Sequence, residues 1–546
     1  MSNKIQGPVL ALYDFRAKQK FIYRTNRIKE IIGASQIIKN GFFDHHDDQK
    51  EGHPTGRLVD AAKSVGVSIV KSSNEVYSDA MFKEDEHKGI VVYEGGGNLN
   101  ILFDCADTCE RINKVFSKKL LEDYYGLNMI CSYVPAELDK QDFYATRKKL
   151  YKKHNMVENM DIAVDRCNVL PFVQVDRKTA FPLCERDNSN KSASKDDKVS
   201  KESSAKLKEY KKYTDYEEKK NKVNGMDTSG GKELDNYIHK KGEESLLAVA
   251  FIDGNNMGAI VADREAKDAE GKRWENAVKN FQSFSKTIND VTVVAGYDKL
   301  DEYLTKVSPD GVEVKGGVPV VTNEYNGNKK DLWKYGYRRI VGAGDEATFI
   351  CNARLAYDLC LAYLKAVANN TNENKFTSCA GIAIFHSHTP FSDAYRIAEE
   401  CCDNAKKKAH EKENTTWIDY QYCQSGINSS LDMIREKEHF EENSSRPWKV
   451  ITDQDEEPAS ITDEVVKKMQ KKLNHNEVGR NNVKNLLTHA FNSKASFDKE
   501  LERIKAHHKL PKDYFDIENL SSDKIQKLIY DMVLVYDIWF DDKREI

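Results

Sequence analysis

Asp253, Asp345 and Glu346 are the side chains whose placement most invites chemistry, because each stands in a glycine-loosened turn at the end of an apolar run. Leu246 to Ile252 delivers Asp253 into Asp253-Gly254-Asn255-Asn256-Met257-Gly258, and two further apolar runs flank Gly342-Ala343-Gly344-Asp345-Glu346. Hard cations such as Mg2+ take oxygen ligands from carboxylates and phosphates. Two of them about 3.5 to 4 Å apart can activate an attacking hydroxyl and stabilise a leaving pyrophosphate. Gly254 and Gly258 would let backbone N–H groups approach a triphosphate, and Lys406, on a polar face of a later helix, could reach the same phosphates. Spacing alone leaves a plainer reading open. Asp253 could cap a helix, Asp345-Glu346 could be an ordinary polar hairpin tip, and Lys406 could be a solvated lysine.

The elements that would carry these residues recur twice. Val9 to Tyr13 reads as a buried strand ending at Asp14, and Phe21 to Ile38 has helical apolar spacing. Ile90 to Tyr93 and Leu99 to Phe103 flank Gly95-Gly96-Gly97-Asn98, a hairpin signal. A helix with Cys109, Ile112, Phe116 and Leu120 on one face follows, then a strand over Met129 to Val134. The order β, α, β, β, α, β is that of a ferredoxin-like unit. It returns from Leu246: a hairpin (Tyr337 to Ile340, Ala347 to Cys351), a helix with Ala356, Leu359, Cys360 and Tyr363 on one stripe, and strand Cys379 to Phe385. A helix with Ala394, Ile397, Ala398, Cys401, Cys402, Ala405 and Ala409 at i, i+3, i+4, i+7 comes next, and Trp417 to Tyr420 is expected as a closing edge strand.

Laying the copies over each other pairs Asp14 with Asp253 and Gly97-Asn98-Leu99 with Gly344-Asp345-Glu346. The chemistry is therefore expected in the second copy. Cys184 to Ser245 changes to Lys, Ser, Asp, Glu and Asn with little that could be buried, which predicts a disordered or partly helical insertion. Ser460 to Ile546 carries helical periodicity, with Ser460 and Asp463 spaced as a capping box. The expected fold is thus α+β, two tandem ferredoxin-like units with a disordered or partly helical insertion between them and a C-terminal helical bundle, divided as 1–160, 161–245, 246–450 and 451–546.

At 546 residues the chain is too long for one core. With 84 Lys+Arg against 88 Asp+Glu, a formal net charge of -4, it has no global basic field for non-specific nucleic-acid binding. No run of about 18 apolar residues and no secretory pattern is evident, so a soluble cytoplasmic protein with no membrane partner is expected. The 11 cysteines are scattered and read as reduced core residues. Cys167 and Cys184 lack the paired knuckles of a zinc site, so no structural zinc is expected. Asp44-His45-His46-Asp47-Asp48 reads as a solvated loop, His386 and His388 lack further ligands, and Lys201 to Lys222 is interleaved with acids.

At these residues the chain resembles the large polymerase-cyclase subunit of type III CRISPR effector complexes, whose palms are related to GGDEF cyclases. Asp253-Gly254-Asn255-Asn256-Met257-Gly258 is similar to that family's D-x-D/N-x-M/L-G, and Ala343-Gly344-Asp345-Glu346 to its GGDD or the cyclases' GGDEF. Ala398 to Lys406 follows the cyclases' A-D-x-A-L-Y-x-A-K, while Asn26 to Ser35 and Arg446-Pro447-Trp448 have family counterparts. The resemblance implies that the two ferredoxin-like units are palm domains, and that the chain is a palm-type nucleotidyl transferase that joins nucleoside triphosphates, ATP favoured, into a cyclic nucleotide or cyclic oligonucleotide second messenger of antiviral defence.

Asp253, Asp345 and Glu346 would then be catalytic and hold two Mg2+ or Mn2+ ions. Gly254, Asn255, Asn256, Met257, Gly258, Gly344 and Lys406 would bind nucleotide. An RNA or protein activator is implied as possible, and oligomeric state stays open. Ala343 departs from the first Gly of the family motif and Asn255 from its second Asp. The chain also opens directly in the first palm, so no HD nuclease is expected, and a standalone relative is suggested. The alternative, from another class, is a non-catalytic palm scaffold or sensor subunit of a CRISPR-like ribonucleoprotein. Retention of Asp253, Asp345, Glu346 and Lys406 together favours the enzyme.

Overall fold

A computed structural model describes residues 7–44, 55–71, 77–78, 81–82, 87–95, 97–140, 142–160, 172–186, 198–222, 234, 237–238, 245–267, 274–306, 313–315, 318–320, 322–325, 328–331, 336–370, 376–411, 415–424, 427, 429–452, 461–517 and 520–540. His45, His46, Asp47, Asp48, Gly96, Cys167 and Ser460 lie outside them. The chain forms two compact units, one of residues 1–225 with 257–289 and one of 226–256 with 290–546.

The first unit is built on a five-stranded sheet of order β2-β3-β4-β1-β5. Its strands are β1 (Val9–Arg16), β2 (Ser68–Lys71), β3 (Lys88–Gly95), β4 (Asn98–Phe103) and β5 (Asn128–Pro135). β1 lies antiparallel between β4 and β5, so the first strand touches the hairpin although they are about 80 residues apart in sequence. The helices of this unit include α1 (Ile28–Lys39), α2 (Ala106–Asp123), α3 (Phe143–Glu158), α4 (Lys201–Lys222), α5 (Met257–Lys267) and α6 (Trp274–Ile288). The stripe Cys109, Ile112, Phe116 and Leu120 is buried, as its spacing requires. Trp274, Ala277, Val278 and Phe281 of α6 join the core formed by Leu10, Leu12, Leu102 and Phe143.

Part of the charged insertion is buried, contrary to the sequence expectation. α4 packs on α1, and Ser200, Glu202, Ser203 and Lys206 are all essentially inaccessible. Composition misled because these polar groups satisfy one another rather than water. Lys206 Nζ donates to Glu202 at 2.8 Å and to the Phe21 carbonyl at 2.6 Å, and Ser203 Oγ donates to Glu30 at 2.9 Å. Gly33 lets the helices meet, since a Cβ there would lie 1.9 Å from the Lys206 carbonyl oxygen.

The second unit holds a six-stranded sheet, order β7-β8-β6-β9-β10-β11. These strands are β6 (Leu246–Gly254), β7 (Tyr337–Ala343), β8 (Glu346–Asn352), β9 (Ser378–His386), β10 (Thr416–Tyr422) and β11 (Trp448–Val450). β6 repeats the place of β1, antiparallel between the hairpin strand β8 and the later strand β9. β10 runs parallel to β9 and is covered by β11, so Trp417 to Tyr420 is not the edge that was expected. The Arg446-Pro447-Trp448 segment leads into that additional strand.

A π-helical turn, Asn289–Ala295, leads into α7 (Gly296–Lys306). Beyond it come α8 (Ala356–Ala368), α9 (Phe391–Glu411), α10 (Leu431–Lys437), and the C-terminal helices α11 (Asp463–Lys472), α12 (Arg480–Asn492), α13 (Lys494–His508) and α14 (Ser522–Leu534). Thr462 caps α11 by accepting from the Val465 amide at 3.2 Å; the expected capping box at Ser460 lies outside the described residues. The C-terminal helices are fastened to the sheet by a buried ion pair, Arg446 Nε to Asp531 at 2.9 Å, and Asp531 also accepts from Ser444 and Ser445. No helix among the described residues is long and apolar enough to cross a membrane.

Candidate functional site

Three strands deliver the acidic residues to one end of the second sheet. Asp253, near the end of β6, is the direct antiparallel partner of Glu346, the first residue of β8. Directly opposed residues project to the same face, so the two carboxylates share a side of the sheet. Ala343 pairs with Glu346, leaving Gly344 and Asp345 as a two-residue hairpin turn. Gly344 has φ of +68°, the left-handed region that a primed hairpin turn uses at its first central position. The Gly254 amide donates to the Asp345 carbonyl at 3.2 Å and ties the turn to β6.

Lys406 reaches this end from α9, and its Nζ donates to Asp253 Oδ2 at 2.5 Å. α9 lies close on β9 because position 381 is glycine; a Cβ there would be 2.0 Å from the Ala398 carbonyl oxygen and 2.3 Å from the Cys402 nitrogen. The helix is also held from its other side. Asp419 of β10, a buried carboxylate, accepts from Asn404 at 2.8 Å and from Arg435 of α10 at 2.9 Å.

The electrostatics follow from crowding. Burial, and after it the Asp253 charge, push the Asp345 carboxyl up from 3.8 to about 6. Lys406 works the other way and limits the rise. Burial opposes the Lys406 ammonium, but the Asp253 carboxylate outweighs it and its pKa is raised. Like charges held together in a partly dry site are what a cation relieves.

The remaining residues expected at the site divide. Gly254, Asn255 and Gly344 lie with Asp253 and Asp345 in the second unit, but Asn255 is buried and its amide donates to Thr377 Oγ1 at 3.1 Å and to the Thr415 carbonyl at 3.0 Å. Its side chain binds the starts of β9 and β10 to β6. Asn256 is exposed with φ of +53°, and Met257 and Gly258 open α5, which belongs to the first unit. Thr377, Thr415, Gly381 and Asp419 support the site without any motif to announce them; only the small size of Gly381 within an apolar strand was a readable signal.

Among the described residues no group of three or more His, Cys, Asp or Glu is placed to hold a metal ion by itself. Mg2+ is commonly held by one or two carboxylates with waters and substrate phosphates making up the rest. Asp253 and Asp345, with Glu346 beside them, offer hard oxygen donors of that kind.

In the first unit the ladder register moves the expected correspondence by one residue. Asn98 opposes Asp14 as Glu346 opposes Asp253, and Gly95 pairs with Asn98 as Ala343 pairs with Glu346. Gly97 therefore stands where the second unit has Asp345, and Asn98 where it has Glu346. Asp14 is bound instead by Lys18 at 2.8 Å, and although partial burial opposes it, the nearby His154, 3.6 Å away, and Lys18 hold its carboxyl below the usual range.

A first strand lying between a hairpin and a later strand, with carboxylates at the first strand's end and in the hairpin turn, defines the second unit as a palm domain. Residues 246–416 match the family model of the Cas10/Cmr2 second palm domain, which shows the resemblance to type III CRISPR polymerase-cyclase subunits over that stretch. Similar solved structures include a Csm1-Csm4 cassette in complex with cA4, at 13% identity over 97% of this chain and 69% of that chain with a TM-score of 0.46. Another is the cassette in complex with one ATP, at 12% identity over 97% and 70% with a TM-score of 0.47. Comparison with curated proteins finds no match.

Proposed function

We propose that the chain is a palm-type nucleotidyl transferase that converts nucleoside triphosphates, ATP favoured, into a cyclic nucleotide or cyclic oligonucleotide messenger in antiviral defence. The observation that carries this reading is the convergence of Asp253, Asp345 and Glu346 with Lys406 at one sheet end, inside the stretch that matches a Cas10/Cmr2 palm. We read the whole chain as two tandem ferredoxin-like palms, the first lacking the hairpin acids, joined by the segment 161–245 and followed by helices from 451.

In this scheme Asp253, Asp345 and Glu346 would hold two divalent cations, Mg2+ or Mn2+. When bound, such ions polarise the α-phosphate and stabilise the leaving pyrophosphate. The protein's own part is positioning and electrostatics. Asp253 and Glu346 are fixed by the ladder, and Asp345 is fixed by its turn. Lys406 exchanges Asp253 for the triphosphate, and Gly344, where a Cβ would meet nothing within 4 Å, leaves room for phosphate oxygens beside the backbone. Asn255 supports the turn through Thr377 and Thr415, and the exposed Asn256 follows it in the loop. Protein partners of an effector complex and an RNA or protein activator are compatible with the family match.

Incubation with each of the four triphosphates and Mg2+ or Mn2+, with chromatographic resolution of products, tests the reading. Asp345→Ala should lower turnover by at least a hundredfold. Pyrophosphate release that persists unchanged in Asp345→Ala would refute it.

A further inference from the structure

Val291-Thr292-Val293-Val294 is a run of four β-branched residues, the pattern of a strand, yet it lies in the π-helical turn Asn289–Ala295. β-branched side chains disfavour helix, and single π turns gather at functional sites. A segment that defies its own propensity is held by its surroundings, and Val291, Thr292 and Val293 are buried. The Tyr363 hydroxyl donates to the Thr292 carbonyl, satisfying a group the irregular helix leaves open.

What this turn does is grip the acid hairpin. Thr292 Oγ1 donates to the Gly344 carbonyl at 2.6 Å, one residue before Asp345. One turn on, the Tyr297 hydroxyl donates to the Val341 carbonyl at 2.9 Å. The β7–β8 ladder shifts register between Arg339 and Val341, where Ile340 has no opposite residue, so the Val341 carbonyl lies beside the bulge. The Arg339 guanidinium lies over the Tyr297 ring, 4.3 Å from its centroid, and donates to the Gly342 carbonyl at 3.0 Å. The hairpin is thus held at its tip and at its bulge.

We propose that Thr292 and Tyr297 are positioning residues that fix Asp345 and Glu346 in the geometry that receives a cation–triphosphate complex. This rests on the reading of the site given above. Removing the Thr292 hydroxyl frees the turn to sample other conformations, and orienting partners of metal-holding groups commonly contribute 10- to 100-fold in affinity.

The test compares the full-length chain with Thr292→Val, Thr292→Ser, Tyr297→Phe and, as a site control, Asp345→Ala. Mn2+–ATP binding is read by water proton relaxation, and amide hydrogen exchange is followed across the hairpin. Thr292→Val should bind Mn2+–ATP about tenfold more weakly. Its Gly344 to Glu346 amides should exchange about fivefold faster, the equivalent of one hydrogen bond. Thr292→Ser should restore both, and Tyr297→Phe should shift both in the same direction as Thr292→Val. A clamp that served only the fold would lower the unfolding midpoint and leave Mn2+–ATP affinity alone. Equal binding by wild type, Thr292→Val and Tyr297→Phe overturns the clamp. Binding by wild type no better than by Asp345→Ala overturns the reading of the site itself.

Discussion

Replacing Asp345 by Asn should stabilise the metal-free protein, and the gain should depend on pH. In the folded chain the Asp345 carboxyl is raised from 3.8 to about 6 by burial and by Asp253. At 1.36 kcal/mol per pKa unit this is ~3 kcal/mol of destabilisation at full ionisation. The sign is fixed by which state loses its proton first. Below about pH 4 both folded and unfolded chains hold the proton and the penalty is absent. Between about pH 4 and pH 6 the unfolded chain ionises while the folded one resists, so folding stability falls. Above about pH 6 the full penalty applies. Asn keeps the shape of the side chain without the charge. Partial access of water to the turn reduces the figure, so a gain of ~1–3 kcal/mol is expected at pH 8. Urea unfolding of both proteins in the presence of a chelator, at half-unit steps from pH 4 to pH 8, measures the difference directly. Equal stability at pH 8, or a gap that does not close toward pH 4, would refute the electrostatic account.

Two further substitutions probe what holds the site. Gly381→Ala places a methyl group 2.0 Å from the Ala398 carbonyl oxygen and must lift α9 from β9; a stability loss of ~1–3 kcal/mol and weaker Mn2+–ATP binding are expected, and an unchanged melting midpoint would contradict the packing argument. Asp531→Ala strands the buried Arg446 guanidinium; scanning calorimetry should show ~3–5 kcal/mol of destabilisation, and a loss below 1 kcal/mol would mean the pair is not buried in solution.

Much of the fold could be read from periodicity because buried stripes have one spacing in helices and another in strands. Cys109 to Leu120 and Ala394 to Ala409 are buried as their spacing demands. Asp345 and Glu346 were legible because glycine and apolar runs bracket them. α4 was not, since Glu202 and Lys206 are buried by pairing with each other, which no hydropathy pattern records. β11 escaped notice because three residues carry too little pattern. The alignment of the two hairpins slipped by one residue because Gly97 resembles Gly344, and only the ladder register, Asn98 to Asp14, corrects it. Asn255 appeared in a motif as a nucleotide contact, but its amide is spent on Thr377 and Thr415. Sequence spacing carries residue type; it does not carry where a planar amide turns.

The hairpin of the first unit has a consequence of its own. Gly97 and Asn98 occupy the ladder positions of Asp345 and Glu346, so the chain contains an uncharged blank of its acid turn, translated in the same cell and exposed to the same buffer. What acidity costs the second turn can be read against the first by hydrogen exchange on a single sample.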